Sequence, residues 1–292
     1  MELETLITLW RAALEVDHAD RTVRSYVDHL RDFVHILPEP SAAAITAPRI
    51  EAYRRTYGAH HGPKTVGLAL TSIRSFCRWL IACDLRADDP TLKVRFPRPP
   101  KSLPRALADE QVRELLAALV QPDGLTPVAA WQWRRNRLAI HLMLYAGLRI
   151  SEVRELRQRD VLLAQQKIVI RAAKGDKDRT VPLHQILLGE LRLAAAGRGP
   201  NDAVCGHPTG ETLAEKSLNH MFERWVPRLG LSFHFTSHQL RHTFCTKLID
   251  RGAGIFEAQE LMGHESPETT RIYYRLSGEH LRTAIDRLPA MW

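Results

Sequence analysis

The 292-residue sequence lacks any apolar run close to the roughly 18 residues that a membrane span requires. Its first ten residues, MELETLITLW, are acidic, whereas a secretory signal begins with basic residues. The chain also has no internal repeat and no low-complexity segment. These absences disfavour the membrane, secreted and repeat classes, and they predict a cytoplasmic globular protein.

Cysteine is scarce and shows no pattern of a metal site or a disulfide framework. The chain has four cysteines, with no CxxC pair and no regular spacing. Such thiols are expected to be reduced and packed, so neither a zinc site nor another cofactor is predicted. The four are Cys77, Cys83, Cys205 and Cys245.

Basic residues, in contrast, are in excess. Lys and Arg number 41 against 33 Asp and Glu, a net charge of +8, and the pI is about 9.6. This balance favours a polyanionic partner, nucleic acid first and an anionic membrane surface second, although a merely basic protein would also show it. With 45% hydrophobic residues the composition is ordinary for a globular protein, and the length predicts about two domains.

The first 85 residues predict helices throughout, because apolar residues recur every three or four positions in LETLITLWRAAL, TVRSYVDHLRDFVHIL, PRIEAYRRTY and KTVGLALTSIRSFCRWLIAC. In the last segment one stripe forms a predicted core face. Arg74 and Arg78, four residues apart, lie on another face, which is either solvated or in contact with phosphate. The stripe consists of Val66, Leu70, Ile73, Phe76, Cys77 and Leu80.

Residues 86–104, RADDPTLKVRFPRPPKSLP, carry five prolines and five basic residues. Proline at this density resists helix and favours an extended, semi-rigid connector. We therefore predict a helical domain over 1–88, a linker over 89–104 and a second domain over 105–292. The basic linker suits a strap along a phosphate backbone, though a solvated linker has the same composition. Candidate DNA contacts in this half are Lys64, Arg74, Arg78, Arg95 and Lys101.

The second domain is predicted to be mainly helical with one small β-hairpin. ADEQVRELLAAL and WRRNRLAIHLMLYAG have helical periodicity, and Gly147 is placed to end the second helix in a left-handed conformation. KIVIR and RTVPL are short β-rich runs on either side of AAKGDKD, which predicts a hairpin with a Lys-rich tip. Residues 184–287 are expected to be mostly helical.

The segment TSHQLRHTFCTKLI predicts a helix with Leu240, Phe244 and Leu248 as its buried stripe. His238 and Arg241, three residues apart, share another face, and together they suit a phosphate group. An isolated His and Arg at this spacing more often serve structure. A metal site is disfavoured, because the HxxxH pair has Gln239 where a catalytic Glu would stand.

Three more residues stand out by position. Arg149 follows Gly147 in a tight turn, and Lys174 lies at the hairpin tip, although charges at such places are usually just solvated. A tail helix is predicted from Ser266, and on it Tyr273 and Tyr274 differ by about 100° around the axis. These two tyrosines therefore cannot face one site.

Taken in order, these signals resemble the tyrosine recombinases, also called the phage integrase family. The matching segments are AGLRISEV, KGDKDRTVPL, SHQLRHTF and LMGHESPETTRIYYRL, and the first 85 residues look like the core-binding domain of that family. The resemblance covers nearly the whole chain and is closest to Xer and mobile-element recombinases. It implies a mainly α protein with a small hairpin or sheet, built as a two-domain, C-shaped DNA clamp.

The resemblance also implies a reaction without metal, ATP or any other cofactor. It assigns Tyr273 as the nucleophile, which would form a 3′-phosphotyrosyl bond with DNA. Arg149 and Arg241 would hold the non-bridging oxygens of the scissile phosphate.

Three further roles follow from the same resemblance. Lys174 would protonate the leaving 5′-oxygen, His238 would act as general acid and base, and His264 would add a phosphate contact. The alternatives are a type IB-like topoisomerase, a non-catalytic sequence-specific DNA-binding protein, and a metallohydrolase that uses His238 and His242.

The partner implied is double-stranded DNA with an inverted-repeat core site. The resemblance further implies a homotetramer that acts on two DNA sites through a Holliday junction. A partner recombinase or an accessory protein is compatible with it. The protein is expected to associate with the nucleoid. A final apolar stripe of Leu281, Ile285 and Leu288 either docks on a neighbouring protomer or packs on its own domain.

Overall fold

The computed structural model describes residues 2–98, 106–171, 178–214 and 216–263. The chain divides into two compact units, Met1–Ser102 and Leu103–Trp292, and each has its own hydrophobic core. Across the described ranges no helix is both long and apolar enough to cross a membrane.

The described residues of the first unit form four α-helices, as the periodicity predicts. α4 packs on the other three and makes its most extensive contact with α2. The rings of Phe76 and of Trp10 in α1 pack edge to face, with their centroids 5.3 Å apart. The helices are α1 (Leu3–Asp17), α2 (Asp20–Val34), α3 (Ala47–His60) and α4 (Pro63–Ala82).

The predicted core stripe of α4 is confirmed. Val66 is 5% exposed, and the other five members are at most 1% exposed. The helix begins at Pro63, where the missing N–H of proline costs nothing because the first turn has no intrahelical acceptor for it. Its periodicity of three and four residues thus places one continuous apolar face against the core.

The segment after α4 differs from the extended strap that its prolines predict. Pro90–Lys93 form a 3₁₀ turn, and the Asp89 carboxylate accepts a hydrogen bond of 2.9 Å from the Thr91 N–H. Val94 is 6% exposed and belongs to the first core. The expectation of an extended strap is therefore wrong for residues 90–94, because proline at a helical N1 position favours a turn and Asp89 supplies the cap.

The second unit is mainly helical, with α6 packed against α10 and α8. Gly147 closes α6 with φ +64, as predicted. The helices are α5 (Asp109–Ala118), α6 (Pro127–Tyr145), α7 (Ile150–Glu155), α8 (Gln185–Ala195), α9 (Ser217–His220), α10 (Ser237–Asp250) and α11 (Ile255–Met262). From the sequence, residues 184–287 are expected to be mostly helical. This expectation fails over 196–214, which form mainly turns and irregular backbone.

The predicted hairpin is part of an antiparallel three-stranded sheet in the order β1–β2–β3. The strands are β1 (Val161–Leu162), β2 (Lys167–Ile170) and β3 (Arg179–Pro182). The register pairs Ile170 with Arg179 and Lys167 with Pro182. Ile168 and Val181, which pair with each other, enter the second core, so alternation fixes which face is buried.

Candidate active site

The turn between α6 and α7 fixes the backbone of Arg149. Gly147 is left-handed, and a Cβ at this position would lie 2.4 Å from Cδ1 of Phe244. Two residues later, the Arg149 N–H donates a 2.7 Å hydrogen bond to Oε2 of Glu152, which caps the start of α7. The sequence expectation of a rigidly held arginine in this turn agrees with this geometry.

The Arg149 side chain connects two segments of the second unit. Nη1 donates to Oε1 of Glu152 at 2.9 Å, and Nη2 donates to the carbonyl of Gly263 at 2.8 Å. The side chain remains 36% exposed, so an incoming anion can reach it. Arg149 is thus both oriented and accessible.

The start of α10 is set by a reciprocal cap. Thr236 Oγ1 accepts from the Gln239 N–H at 3.3 Å, and Gln239 Oε1 accepts from the Thr236 N–H at 3.0 Å. This cap places His238 in the first turn, where it is exposed. Arg241 follows one turn later.

The two residues that the sequence places on one face of α10 differ in burial, since His238 is exposed and Arg241 is only 5% exposed. Its Nη1 donates to the carbonyl of Gly147, and its Nη2 donates to the carbonyl of Met262. Both carbonyls lie at helix ends, where the helix itself supplies no donor. Arg241 is buried because these acceptors and a nearby carboxylate compensate its charge.

The buried face of α10 also differs from the prediction. Leu240 is fully buried, whereas Phe244 and Leu248 are only partly buried and pack against a small cluster shared with α11. His242 is half-buried. Burial lowers the pKa of His242, and the charges of His238 and Arg241 lower it further.

Glu152, which sequence reasoning missed, lies at the centre of the site. Its side chain is 11% exposed and accepts from Arg149, while Nη1 of Arg241 lies 3.7 Å from Oε2. Burial acts to raise the pKa of Glu152, but the hydrogen bonds and charge of Arg179, the Arg149 N–H and the charge of Arg241 bring it below its usual value. The available sequence signal was the Arg-x-x-Glu spacing at the start of α7.

Arg179, at the beginning of β3, is the second residue that the sequence did not single out. Its Nη1 and Nη2 donate to Oε1 and Oε2 of Glu152, each at 2.8 Å, in a bidentate pair. Nε donates to the carbonyl of Leu261 at 3.0 Å. One arginine among the charges of KGDKDRTVPL gave no sequence pattern that would have identified it.

The end of α11 is the place where these side chains meet. Three consecutive carbonyls, of residues 261, 262 and 263, accept hydrogen bonds from three different guanidinium groups. Positive charge at a helix C-terminus is favourable, since the last carbonyls have no intrahelical donor. The chain is therefore anchored immediately before His264. The donors are Arg179, Arg241 and Arg149.

The cluster carries a net positive charge, because three guanidinium groups surround one carboxylate. Arg149 is the most exposed of the three arginines, with 36% of its side chain accessible against 11% for Arg179 and 6% for Arg241. A partly buried positive site of this type binds phosphate groups well, since guanidinium groups donate to their oxygens in pairs.

Some of the predicted site residues have no described structure. Lys174, His264, Tyr273 and Lys101 lie outside the described residues. Within the described ranges, no group of three or more His, Cys, Asp or Glu side chains is placed to hold a metal ion.

The predicted DNA-contact residues of the first unit differ in their surroundings. Arg74 is half-buried, donates to the Thr91 hydroxyl at 3.1 Å and lies 3.9 Å above the Phe96 ring. Arg78 is 66% exposed, with Nε 3.9 Å from Oδ2 of Asp89. Lys64 and Arg95 are exposed. Arg74 therefore supports the fold of the first unit, whereas the other three are accessible.

Comparison with known proteins gives the same family for both parts of the chain. The profile of the phage integrase family matches residues 105–280, and that of the phage integrase N-terminal SAM-like domain matches residues 7–83. The chain is 30% identical to "Tyrosine recombinase XerA" of Thermococcus kodakarensis over 270 residues, covering 91% of this chain and 88% of the relative. It is also 30% identical to "Tyrosine recombinase XerC" of Neisseria meningitidis serogroup B over 276 residues, 92% of this chain and 89% of the relative.

Solved structures show the same fold at lower identity. The Tn1549 transposon integrase in complex with transposon right end DNA has a TM-score of 0.75 and 18% identity, covering 98% of this chain and 99% of that one. A λ integrase dimer bound to a COC′ core site has a TM-score of 0.73 and 21% identity, covering 92% and 97%. The chain belongs to the phage integrase family, whose relatives named above are tyrosine recombinases.

Proposed function

We propose that this protein is a site-specific tyrosine recombinase that cleaves and rejoins DNA through a 3′-phosphotyrosyl intermediate. The observation that carries the proposal is the convergence of Arg149 and Arg241 on the carbonyls of residues 262 and 263. His264 is the next residue, and Tyr273 follows nine positions later. The phosphate-binding pair is thus anchored to the start of the segment that holds the nucleophile.

In the proposed reaction, the Tyr273 Oη attacks the scissile phosphorus and the bond from phosphorus to the 5′-oxygen breaks. The tyrosine proton passes to a base, for which His238 is the candidate. Lys174 gives a proton to the departing 5′-oxygen. One phosphodiester is exchanged for another, so the linkage is conserved for rejoining and no external energy source is required.

Arg149 and Arg241 would stabilise the charge that develops on the non-bridging oxygens, a role for which fixed donors matter most. His264 would add a contact to the same phosphate. The geometry supports this division of labour, since Arg241 is locked by two carbonyls and Arg149 keeps an exposed edge.

DNA is the proposed partner, and the titles of the Tn1549 and λ integrase structures name DNA complexes. We propose a helical DNA-binding domain over 1–88, a linker over 89–104 and a catalytic domain over 105–292. A core site of two inverted repeats, a homotetramer on two such sites and a Holliday junction would complete the reaction. Lys64, Arg78, Arg95 and Lys101 are the proposed backbone contacts.

The test is formation of a covalent adduct on DNA. The site is first obtained by selecting bound duplexes from a random pool, and a nick is then placed near the cleavage point so that the cleaved strand cannot rejoin. The wild-type protein should give a protein–DNA band that survives denaturation, and Tyr273→Phe should give none. An adduct formed by Tyr273→Phe would overturn the assignment of the nucleophile.

The matched control is Tyr274→Phe, which removes the neighbouring hydroxyl and should leave cleavage unchanged. EDTA should have no effect, whereas a metallohydrolase would lose activity. Relaxation of a supercoiled plasmid that lacks the selected site would instead favour a type IB-like topoisomerase, and binding without any adduct would favour a non-catalytic DNA-binding protein.

A further inference from the structure

We propose that Arg179 is a positioning residue for strand cleavage: by pairing with Glu152 it weakens the attraction of this carboxylate for the guanidinium groups of Arg149 and Arg241, which are the proposed contacts of the scissile phosphate. This inference rests on the proposed function and assigns a role to a residue outside the set expected from the sequence. It concerns a side chain that acts through its neighbours and does not itself contact DNA.

The contacts of Arg179 account for its strength as a partner of Glu152. Both carboxylate oxygens receive a hydrogen bond of 2.8 Å from the same guanidinium group. The two side chains are each 11% exposed, so water screens this pair weakly. Arg179 is therefore the most closely bonded of the three guanidinium partners of Glu152.

A carboxylate inside a phosphate-binding site works against anion binding unless another cation neutralises it. Arg149 already donates to Oε1 of Glu152 at 2.9 Å, and Arg241 lies 3.7 Å from Oε2. If Arg179 were lost, Glu152 would pair more strongly with these same two guanidinium groups, because the planar guanidinium group of arginine pairs well with a carboxylate. The site would then have less positive charge and fewer oriented donors for the phosphate.

Arg179 is also held in place by the chain that leads to His264. Its Nε donates to the Leu261 carbonyl at 3.0 Å. Gly263 has φ +58, and a Cβ on it would lie 2.9 Å from Nη1 of Arg179. The guanidinium group thus packs against the backbone at the end of α11. This contact fixes the orientation in which Arg179 pairs with Glu152.

The competing explanation is that Arg179 only ties β3 to α7 and contributes to stability. Arg137 provides a matched control for that possibility. It lies on α6, its side chain is 24% exposed, and its Nε is 2.6 Å from Oε1 of Glu190 on α8, whose side chain is 14% exposed. Arg137→Met removes a similar half-buried ion pair from the same unit, at a different pair of elements.

The experiment compares single-turnover cleavage by the full chain on two nicked duplexes of the selected site. One has a normal scissile phosphodiester, and the other has a methylphosphonate, which lacks the non-bridging negative charge. Arg179→Met should slow cleavage of the phosphodiester by about 10²-fold, comparable to the loss of one fixed donor. On the methylphosphonate the loss should shrink by about tenfold or more, because less charge needs stabilising.

Two further variants test the mechanism. Adding Glu152→Gln to Arg179→Met should restore about tenfold of the lost rate, since the uncompensated carboxylate is gone. Arg179→Lys keeps the charge and should lose less activity than Arg179→Met, which provides a test even if the methionine variant folds poorly. Arg137→Met should change the two substrates by the same factor.

Equal losses on the two substrates, with no recovery on adding Glu152→Gln, would overturn the proposal and leave Arg179 a structural residue. A wild-type rate for folded Arg179→Met would overturn it as well. Failure of the wild-type protein to form any adduct would instead refute the recombinase function, so the two failures are distinguishable.

Discussion

At Arg241, one buried guanidinium group joins the ends of two helices that are far apart in sequence. Its donors reach the carbonyls of Gly147 and Met262, and it lies within ion-pair distance of Glu152. A buried charge is tolerated where hydrogen bonds and an opposite charge replace water. The same contacts that allow Arg241 to be buried also fix the orientation of its guanidinium group.

The first prediction concerns Gly147, which is left-handed and in contact with Phe244. Gly147→Ala should destabilise the second unit by about 2–4 kcal/mol, combining the cost of a left-handed alanine with overpacking. Chemical denaturation of the full chain measures the effect.

The control for this prediction is Gly230→Ala. Gly230 is also left-handed, at φ +69, but apart from Gly230 and its two chain neighbours no described residue has an atom within 4 Å of the position that an alanine Cβ would take. This substitution should cost about 1 kcal/mol, the strain of the backbone alone. Equal losses at the two positions would contradict the role of Phe244.

At the scale of single elements, α4 combines a buried apolar face with arginines in two different environments. Arg74 and Arg78 are four residues apart, so one helical face carries both. The segment that follows α4 folds back on Arg74 through Thr91 of the 3₁₀ turn and through Phe96. Arg78 keeps its side chain 66% exposed. Packing of the next segment, which the helix periodicity does not encode, separates their roles.

The second prediction uses this pair. Arg74→Ala should lower stability by about 1–2 kcal/mol through lost hydrogen bonds and its cation–π contact. Arg78→Ala should leave stability within about 0.5 kcal/mol but reduce the slope of log binding constant against log salt concentration by about 1, as expected for one lost phosphate contact. Thermal denaturation and DNA binding at several salt concentrations measure the two effects. An unchanged salt slope for Arg78→Ala would remove it from the proposed DNA contacts.

At the scale of the whole molecule, the described residues form one main hydrophobic core in each of the two units. That of the first unit includes Phe76, and that of the second includes Leu142, both fully buried. Burial of apolar surface is the main stabilising contribution in each unit. The two units therefore have independent sources of stability.

The third prediction follows from these two cores. Phe76→Ala should destabilise the first unit by about 3–5 kcal/mol, and Leu142→Ala should destabilise the second by about 2–5 kcal/mol. In calorimetry each variant should shift a different part of the unfolding profile. Limited proteolysis should likewise cleave a different unit first in each variant. A single transition shifted equally by both variants would show that the two units unfold together.

Much of the fold was predictable because it depends on local patterns. The α4 stripe follows from periodicity, the end of α6 from Gly147, and the β2–β3 hairpin from two β-rich runs around a Gly-containing tip. The family resemblance likewise depended on short ordered segments, and the family is confirmed. The catalytic roles of all six predicted residues stay predictions; these residues are Arg149, Lys174, His238, Arg241, His264 and Tyr273.

The sequence by itself determined the helices, the hairpin and the family, since each is encoded by neighbouring residues or by short ordered segments. Only the tertiary structure decided that Arg241 is buried, that Glu152 lies among three arginines, and that Arg179 pairs with it. Glu152 and Arg179 are 27 residues apart, and Arg179 and Leu261 are 82 apart. Contacts over such separations depend on how the elements pack, and no local pattern specifies them.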